Sequence, residues 1–359
     1  MTSPRVVVFG ADELGAELVT SFRRLGAEVT ALDGAAGPAE VTAVIERVRP
    51  DHVVTATDGT PAEILTGTRL HVDREGLRRL AADELGLPTA PFWFAGSLAE
   101  LTAITEHAGF PVVVKPLVTP PVGGPSVLLR PEDVEPAWHG AVPSGGRGRV
   151  LVEMVVDFDH EITILTVRDR DGALTFCEPI GHRQVDGSGD VVLEAWQPQW
   201  VSPIATDSAH SIAARVVNAL GGSGVYGVEL LVHDDEVYFS DVTGYPPGTG
   251  LVTLRSQRLS MFDLHARATL GLPVDTIMVS PAAAEVVYAD VESEGADREP
   301  GGRLIAALSV PESDVRIFSP ARGYPRRRRI GLALATGPDV ATARDRIRQM
   351  SGALHRWWR

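Results

Sequence analysis

Lysine is almost absent from this chain. Of 33 basic residues one, Lys115, is lysine and the rest are arginine. A planar guanidinium and a compact ammonium are not interchangeable at a tight phosphate site. The position that keeps lysine is therefore a candidate for one, with chance survival as the other reading. Cysteine is as scarce: Cys177 stands alone, which excludes an internal disulfide and any multi-cysteine metal site. Its apolar surroundings read as those of a small core residue. Positive charge is in deficit, with a net charge of −14. Nucleic acid is thus an unfavoured partner, because a duplex-binding surface is usually basic. No apolar run approaches the roughly 18 residues of a membrane span. The start, MTSPRVVVFG, enters a strand pattern with no signal-peptide core. What is present is ordinary for a globular protein: 44% hydrophobic and 22% charged residues in 359. The expectation is a cytoplasmic, enzyme-sized chain of two or three domains.

Residues 5–10, 28–32 and 52–56 read as strands separated by helices at about 13–25 and 39–48. That rhythm predicts a parallel α/β sheet. The first turn runs from Gly10 to Gly15 and, with Asp33 after the second strand, invites a dinucleotide reading. The middle glycine of that motif is Asp12, however, and Glu13 follows, so two carboxylates would repel a pyrophosphate. Asp73 is expected to cap a helix stopped at Gly86, and Ser97 to open another that ends at Gly109. Strands are expected at 111–116, after the loop 119–126, and at 150–156, 160–169 and 173–184. A helix at 206–220 precedes a hairpin over 225–242. Further strands are expected near 282–289, 303–309, 314–318 and 329–335, then a helix from about 339.

The hairpin carries the first chemistry. With a three-residue loop at 234–236, Glu229 and Asp241 become direct cross-strand neighbours; a two-residue loop would point them to opposite faces. Like charges so placed in apolar strands are unfavourable unless a cation lies between them. Magnesium, which takes one or two carboxylates plus substrate phosphates, suits the pair. The bland alternative is two solvated carboxylates on an exposed face. Lys115 at a strand end, the acidic pair and a glycine-bearing loop between antiparallel strands together follow the logic of a nucleotide held between two sheets.

Several stretches resemble those of one ATP-grasp family, the formate-dependent phosphoribosylglycinamide formyltransferases. They are DREGLRRLAADELGLPT (73–89), FPVVVKP (110–116), RVLVEMVVDFDHEITILTV (149–167), GHRQ (181–184), WQPQ (196–199) and GLVTLRSQRLSMFDLHARATLGLPV (250–274). The resemblance implies an α/β (α+β grasp) fold in three parts. These are a shortened N-terminal parallel α/β domain (1–72), a central ATP-grasp domain (73–273) and a small β-rich C-terminal domain (274–359). It implies that Arg74 and Lys115 contact ATP phosphates, that Glu153 through Val156 hold the adenine edge, and that Glu161 holds the ribose. It gives Glu229 and Asp241 to Mg2+, and Glu13, Leu14, Arg328 and Arg329 to the amine substrate. A formate-like carboxylate would attack the γ-phosphate, and the resulting acyl phosphate would be captured by an amine. No catalytic side chain is assigned, and a homodimer is implied.

Departures from the family accompany the match. The lid, serine-rich with a Gly-Lys-Gly centre in the family, reads TPPVGGPS, whose prolines restrict its conformations. Tyr245, Pro247 and Gly248 stand where the family has arginine, histidine and aspartate. The lysine before the arginine pair is gone, and the third strand runs into Thr55–Asp58 without the family's substrate glutamate. These losses predict an amine other than phosphoribosylglycinamide, with a catalytically silent nucleotide- or metabolite-binding relative as the alternative. His182 of GHRQ reads equally as a structural or a catalytic residue.

Overall fold

The computed structural model describes residues 3–11, 15–34, 36–56, 74–117, 125–142, 148–187, 190–290, 300–318 and 327–354. Glu13, Leu14, Asp73, most of the lid and residues 57–58 lie outside them.

The N-terminal unit is β1 (Arg5–Phe9), α1 (Gly15–Arg24), β2 (Glu28–Leu32), α2 (Pro38–Val48) and β3 (His52–Thr55). Its strands pair in parallel in the order β2-β1-β3, as the alternating rhythm predicts. Gly15 needs to be glycine: a Cβ there would lie 1.9 Å from the Gly10 carbonyl oxygen. Gly15 thus stands against Gly10 for a packing reason, independent of any dinucleotide.

A second sheet follows α3 (Arg74–Arg79), which widens into a π turn over Leu80–Glu84. Its elements are β4 (Phe92–Ala95), α4 (Leu98–Ala108), β5 (Val112–Pro116), β6 (Ser126–Leu128), α5 (Val134–Ala141) and β7 (Val150–Met154), with strand order β4-β7-β5-β6. Ser97 caps α4 as expected, its hydroxyl accepting from the Glu100 amide at 3.1 Å.

The third sheet is the largest. It uses β8 (His160–Arg168), β9 (Leu174–Phe176), β10 (Ile180–Gly187), β11 (Asp190–Gln197), β12 (Gly224–His233) and β13 (Glu236–Thr243), with α6 (Pro203–Leu220) between β11 and β12. After α7 (Thr253–Ser256) and α8 (Met261–Leu270) come β14 (Ala282–Asp290), α9 (Pro300–Leu308), β15 (Ser313–Ile317), β16 (Arg327–Thr336) and α10 (Val340–Leu354). The order is β13-β12-β8-β10-β11-β14-β16-β15, with β9 paired to β8 off this path. Three readings change. Residues 303–308 are helix, not strand. The segment 173–184 is two strands broken around Pro179. The C-terminal strands extend the central sheet through the β11–β14 pairing, so the boundary at 274 does not separate two sheets.

Alternation decides the faces. Ile162 and Ile164 of β8 and Val228, Leu230 and Val232 of β12 pack on Ala205, Ala209, Ile212 and Val216 of α6. Their neighbours Glu161, Thr163, Glu229 and Leu231 therefore face the other way, toward the second sheet or the α8 side. A separate core joins Val6, Leu18 and Phe22 to Leu165, Val225, Phe262 and Leu332. Cys177 is buried in it, its thiol pushed up to about 12 by burial, as expected of a core residue.

His265 of α8 is buried in the same region, and its Nδ1 accepts from the Val225 amide at 3.1 Å. Burial holds this imidazole down at about 4, below the usual value near 6.5. Between those values the unfolded chain takes up a proton that the native state refuses. Stability present above pH 6.5 is then lost as pH falls toward 4, by ~3 kcal/mol from this group. His265→Asn, which keeps an acceptor for Val225, is expected to flatten that part of the profile, read as urea midpoints from pH 7.5 to 4.

Candidate nucleotide site between the two antiparallel sheets

The β12–β13 hairpin turns at Asp234–Asp235, with Asp234 at φ 50° and His233 opposite Glu236. The loop is thus two residues, not three. Such a turn alone would set Asp241 on the wrong face. A bulge restores the pairing: Leu230 lies opposite Phe239, Glu229 opposite Asp241, and Ser240 is the extra residue. Arg78 fastens the bulge, donating to the Phe239 carbonyl at 3.1 Å and to the Ser240 carbonyl at 2.8 Å. Glu229 also pairs across β8 with Thr163, and Leu231 with Glu161. Glu161, Glu229 and Asp241 consequently share one face of three adjacent strands.

The opposing groups come from α3 and the second sheet. Arg74 and Arg78, one helical turn apart, lie on one face of α3. The Arg74 guanidinium donates to the Pro116 carbonyl at 3.3 Å and stands 3.5 Å from Asp241 Oδ2. Lys115 Nζ lies 2.6 Å from Glu153 Oε2, while Arg78 pairs with Glu153 Oε1. Arg78 and Glu153 are 4% and 5% exposed, so this is a buried bridge tying α3 to β5 and β7. Arg74, Leu77, Arg78, Lys115, Leu151, Phe239, Ser240 and Asp241 line one small cavity.

The Glu153 carboxylate is turned onto Lys115 and Arg78, and the main chain that follows it is the rest of the stretch to which the resemblance gives the adenine edge. That segment leaves β7 through Met154 and Val155, whose amides reach the Pro91 and Pro111 carbonyls at 2.9 and 3.4 Å, and continues past Val156. Arg78 is the residue that sequence reasoning missed. The signal was available, since it stands four residues after Arg74 in the same helix.

Burial above all raises the Glu161 carboxyl, with the Glu229 charge adding to the effect and His182 and Lys115 opposing it. His182 of β10 places Nδ1 3.8 Å from Glu161 Oε2, and burial lowers its pKa against the pull of Glu161 and a hydrogen bond to the Ile162 backbone. The turn Gly248–Val252 crosses the same face, Thr249 and Thr163 joining hydroxyls at 3.0 Å. Gly248 sits against Leu193, whose Cδ2 would be 3.2 Å from an added Cβ. Arg328 and Arg329 pair with Ala289 and Tyr288 on β14. Their side chains, like Glu13 and Leu14, lie outside the described residues. Among the described residues no three His, Cys, Asp or Glu side chains converge as a metal cage. Two carboxylates facing Arg74 and Lys115 fit magnesium nonetheless, because substrate oxygens and water would complete its shell.

Two antiparallel sheets facing each other across lysine, arginine and an acidic pair define an ATP-grasp enzyme, and the ATP-grasp domain family matches residues 80–262. Formate-dependent phosphoribosylglycinamide formyltransferases of Corynebacterium glutamicum and Rhodococcus jostii are 44% and 46% identical to this chain. Each alignment covers 98% of the chain and 94% of the relative. The structure of glycinamide-RNase-transformylase T from Mycobacterium tuberculosis matches with a TM-score of 0.76 at 44% identity, over 97% of this chain and 99% of that one. The chain belongs to the formate-dependent phosphoribosylglycinamide formyltransferase family. N5-carboxyaminoimidazole synthase from Aspergillus clavatus, at a TM-score of 0.80 and 21% identity, shares the fold. The alignments to the relatives extend over about 390 positions against 359 residues, so the relatives carry residues without a counterpart in this chain.

Lys115→Ala is expected to weaken ADP binding at least tenfold by calorimetry. Lys115→Arg is not expected to restore it, because Arg78 already occupies the other Glu153 oxygen and the planar fork needs space the ammonium does not. Equal affinity of wild type and Lys115→Ala would show that Lys115 does not touch the nucleotide.

Proposed function

We propose that the protein uses Mg-ATP to activate formate and transfers the formyl group to the amine of phosphoribosylglycinamide. The observation that carries the nucleotide half is the Glu229–Asp241 pair opposed across the cleft by Arg74 and Lys115. A formate oxygen attacks the γ-phosphorus and ADP leaves, giving formyl phosphate. The amine nitrogen then attacks its carbonyl carbon, phosphate departs and the nitrogen sheds a proton. In this reading Arg74 and Lys115 hold the phosphates in line and spread their charge, which is most of what a protein contributes to such transfers. Glu229 and Asp241 hold Mg2+, which when bound neutralises phosphate oxygens.

The choice of amine rests on the relatives' names. The expectation of a different amine finds no support in the comparisons, and a silent relative is disfavoured because the similar proteins are named as enzymes. A second anionic amine is kept as the other reading on one observation: Gly248 offers no charge where the family resemblance places an aspartate. With ATP and formate, kcat/KM for phosphoribosylglycinamide above about 10⁴ M⁻¹s⁻¹, within the ordinary range of enzymes, is expected. Trace turnover, with ADP release stimulated by another amine, would transfer the proposal to that amine.

A further inference from the structure

Arg74 has little of its own to hold it. It is the first residue of α3, and helix ends fray. Its side chain is long and 42% exposed, and its two contacts, 3.3 Å to the Pro116 carbonyl and 3.5 Å to Asp241, are both long. A guanidinium so placed reaches a fixed point in the cleft only if the main chain beneath it is fixed. The next residue supplies that anchor. The Glu75 side chain is 17% exposed and turns both carboxylate oxygens to Arg149, just before β7, with Nη1 3.0 Å from Oε1 and 2.8 Å from Oε2. Arg79, one turn further along α3, donates to Glu75 Oε1 at 3.1 Å.

These contacts close into a ring. β5 and β7 pair antiparallel with Pro116 opposite Val150, and one step beyond, the Leu117 amide donates to the Arg149 carbonyl at 3.2 Å. Arg149 therefore grips Glu75 with its side chain and the end of β5 with its main chain. Arg74 returns to that same end through the Pro116 carbonyl. Phe94 of β4 braces the ring, its centre 5.0 Å from the Arg79 guanidinium and 5.7 Å from that of Arg149, within cation–π range. The buried Arg78–Glu153 bridge also holds α3, but one turn away from Arg74. It fixes the body of the helix and leaves the first turn to Glu75. Ion pairs with a half-exposed partner contribute little to stability, so orientation is what this one has to offer.

We propose that Glu75 and Arg149 are positioning residues that aim Arg74 at the nucleotide's phosphates, neither of them touching the nucleotide. The proposal rests on the nucleotide-binding reading above and adds the pair through which its arginine is set. Displacing a charged donor by about 1 Å forfeits much of its contact. A pair with a small effect on folding thus has a clear effect on binding.

The test is a double-mutant cycle on the full chain, read as ADP affinity by calorimetry with magnesium, with urea midpoints measured beside it. Glu75→Gln is expected to weaken ADP about fivefold while the midpoint barely moves. Arg149→Gln, which keeps the main-chain contact to Leu117, is expected to do the same, and it carries the cycle alone if the Glu75 variant does not fold. In an Arg74→Ala background either change is expected to alter ADP affinity less than twofold, because the side chain being aimed is gone. A general loosening of the site would weaken ADP by the same factor in both backgrounds; that result overturns the proposal, as does wild-type affinity in Glu75→Gln. Absence of ADP binding by the wild type would instead overturn the functional reading beneath it.

Discussion

Glu229→Gln is expected to lower ATP turnover at least 10³-fold, about 4 kcal/mol of transition-state stabilisation, while the protein stays folded. Glu229 and Asp241 are direct neighbours across the hairpin, and opposed carboxylates repel in the absence of a cation. The amide keeps the shape of the side chain on a partly buried strand position, so the urea midpoint should change far less than the activity. Asp241→Asn tests the same pair from the other strand and also releases Arg74, which sits 3.5 Å from Asp241 Oδ2. Steady-state ADP release and equilibrium unfolding, measured on the same preparations, separate the two effects. Retained turnover in Glu229→Gln would remove the pair from the metal site.

Glu153→Ala is expected to act through the fold. Its carboxylate is the shared partner of buried Arg78 and of Lys115. Taking it away leaves a guanidinium almost wholly out of water with only backbone carbonyls, at a cost of about 3–5 kcal/mol. Those carbonyls belong to the bulge that sets Asp241 opposite Glu229, so nucleotide binding should fall with stability. Glu153→Gln keeps the shape but not the charge, and an intermediate loss is expected. Urea unfolding monitored with and without ADP reads both consequences. An unchanged midpoint in the alanine variant would mean that Arg78 finds another counter-charge.

Much of this site was legible because it is built from local exceptions. A single lysine at the end of VVVKP and two acids inside an apolar hairpin stand out against their surroundings. The bulge did not stand out. The Glu229–Asp241 pairing was anticipated with a three-residue loop, whereas the chain achieves it with a two-residue turn and an extra residue at Ser240. That compensation depends on Arg78, 162 positions away, and no spacing rule reaches so far. The short apolar run RLIAALS was ambiguous between strand and helix. It folds as α9 because Ala307 is buried against α10 residues such as Ile347 and Met350. Strand β11 was hidden by Glu194, an acid that looks misplaced in a sheet until Arg183 and Arg344 are seen within 2.6 and 2.7 Å of it.

The continuity of the third sheet bears on how the chain can be cut. β11 and β14 join through a ladder from Glu194 opposite Glu285 to Gln197 opposite Ala282. Severing the chain near residue 274 would strip each fragment of its neighbour and leave two raw, long edges, each a template for unwanted pairing. Halves expressed separately should therefore seek one another or precipitate. The hairpin that carries the acidic pair and the strand that carries Arg328 and Arg329 are inherited, engineered and lost together.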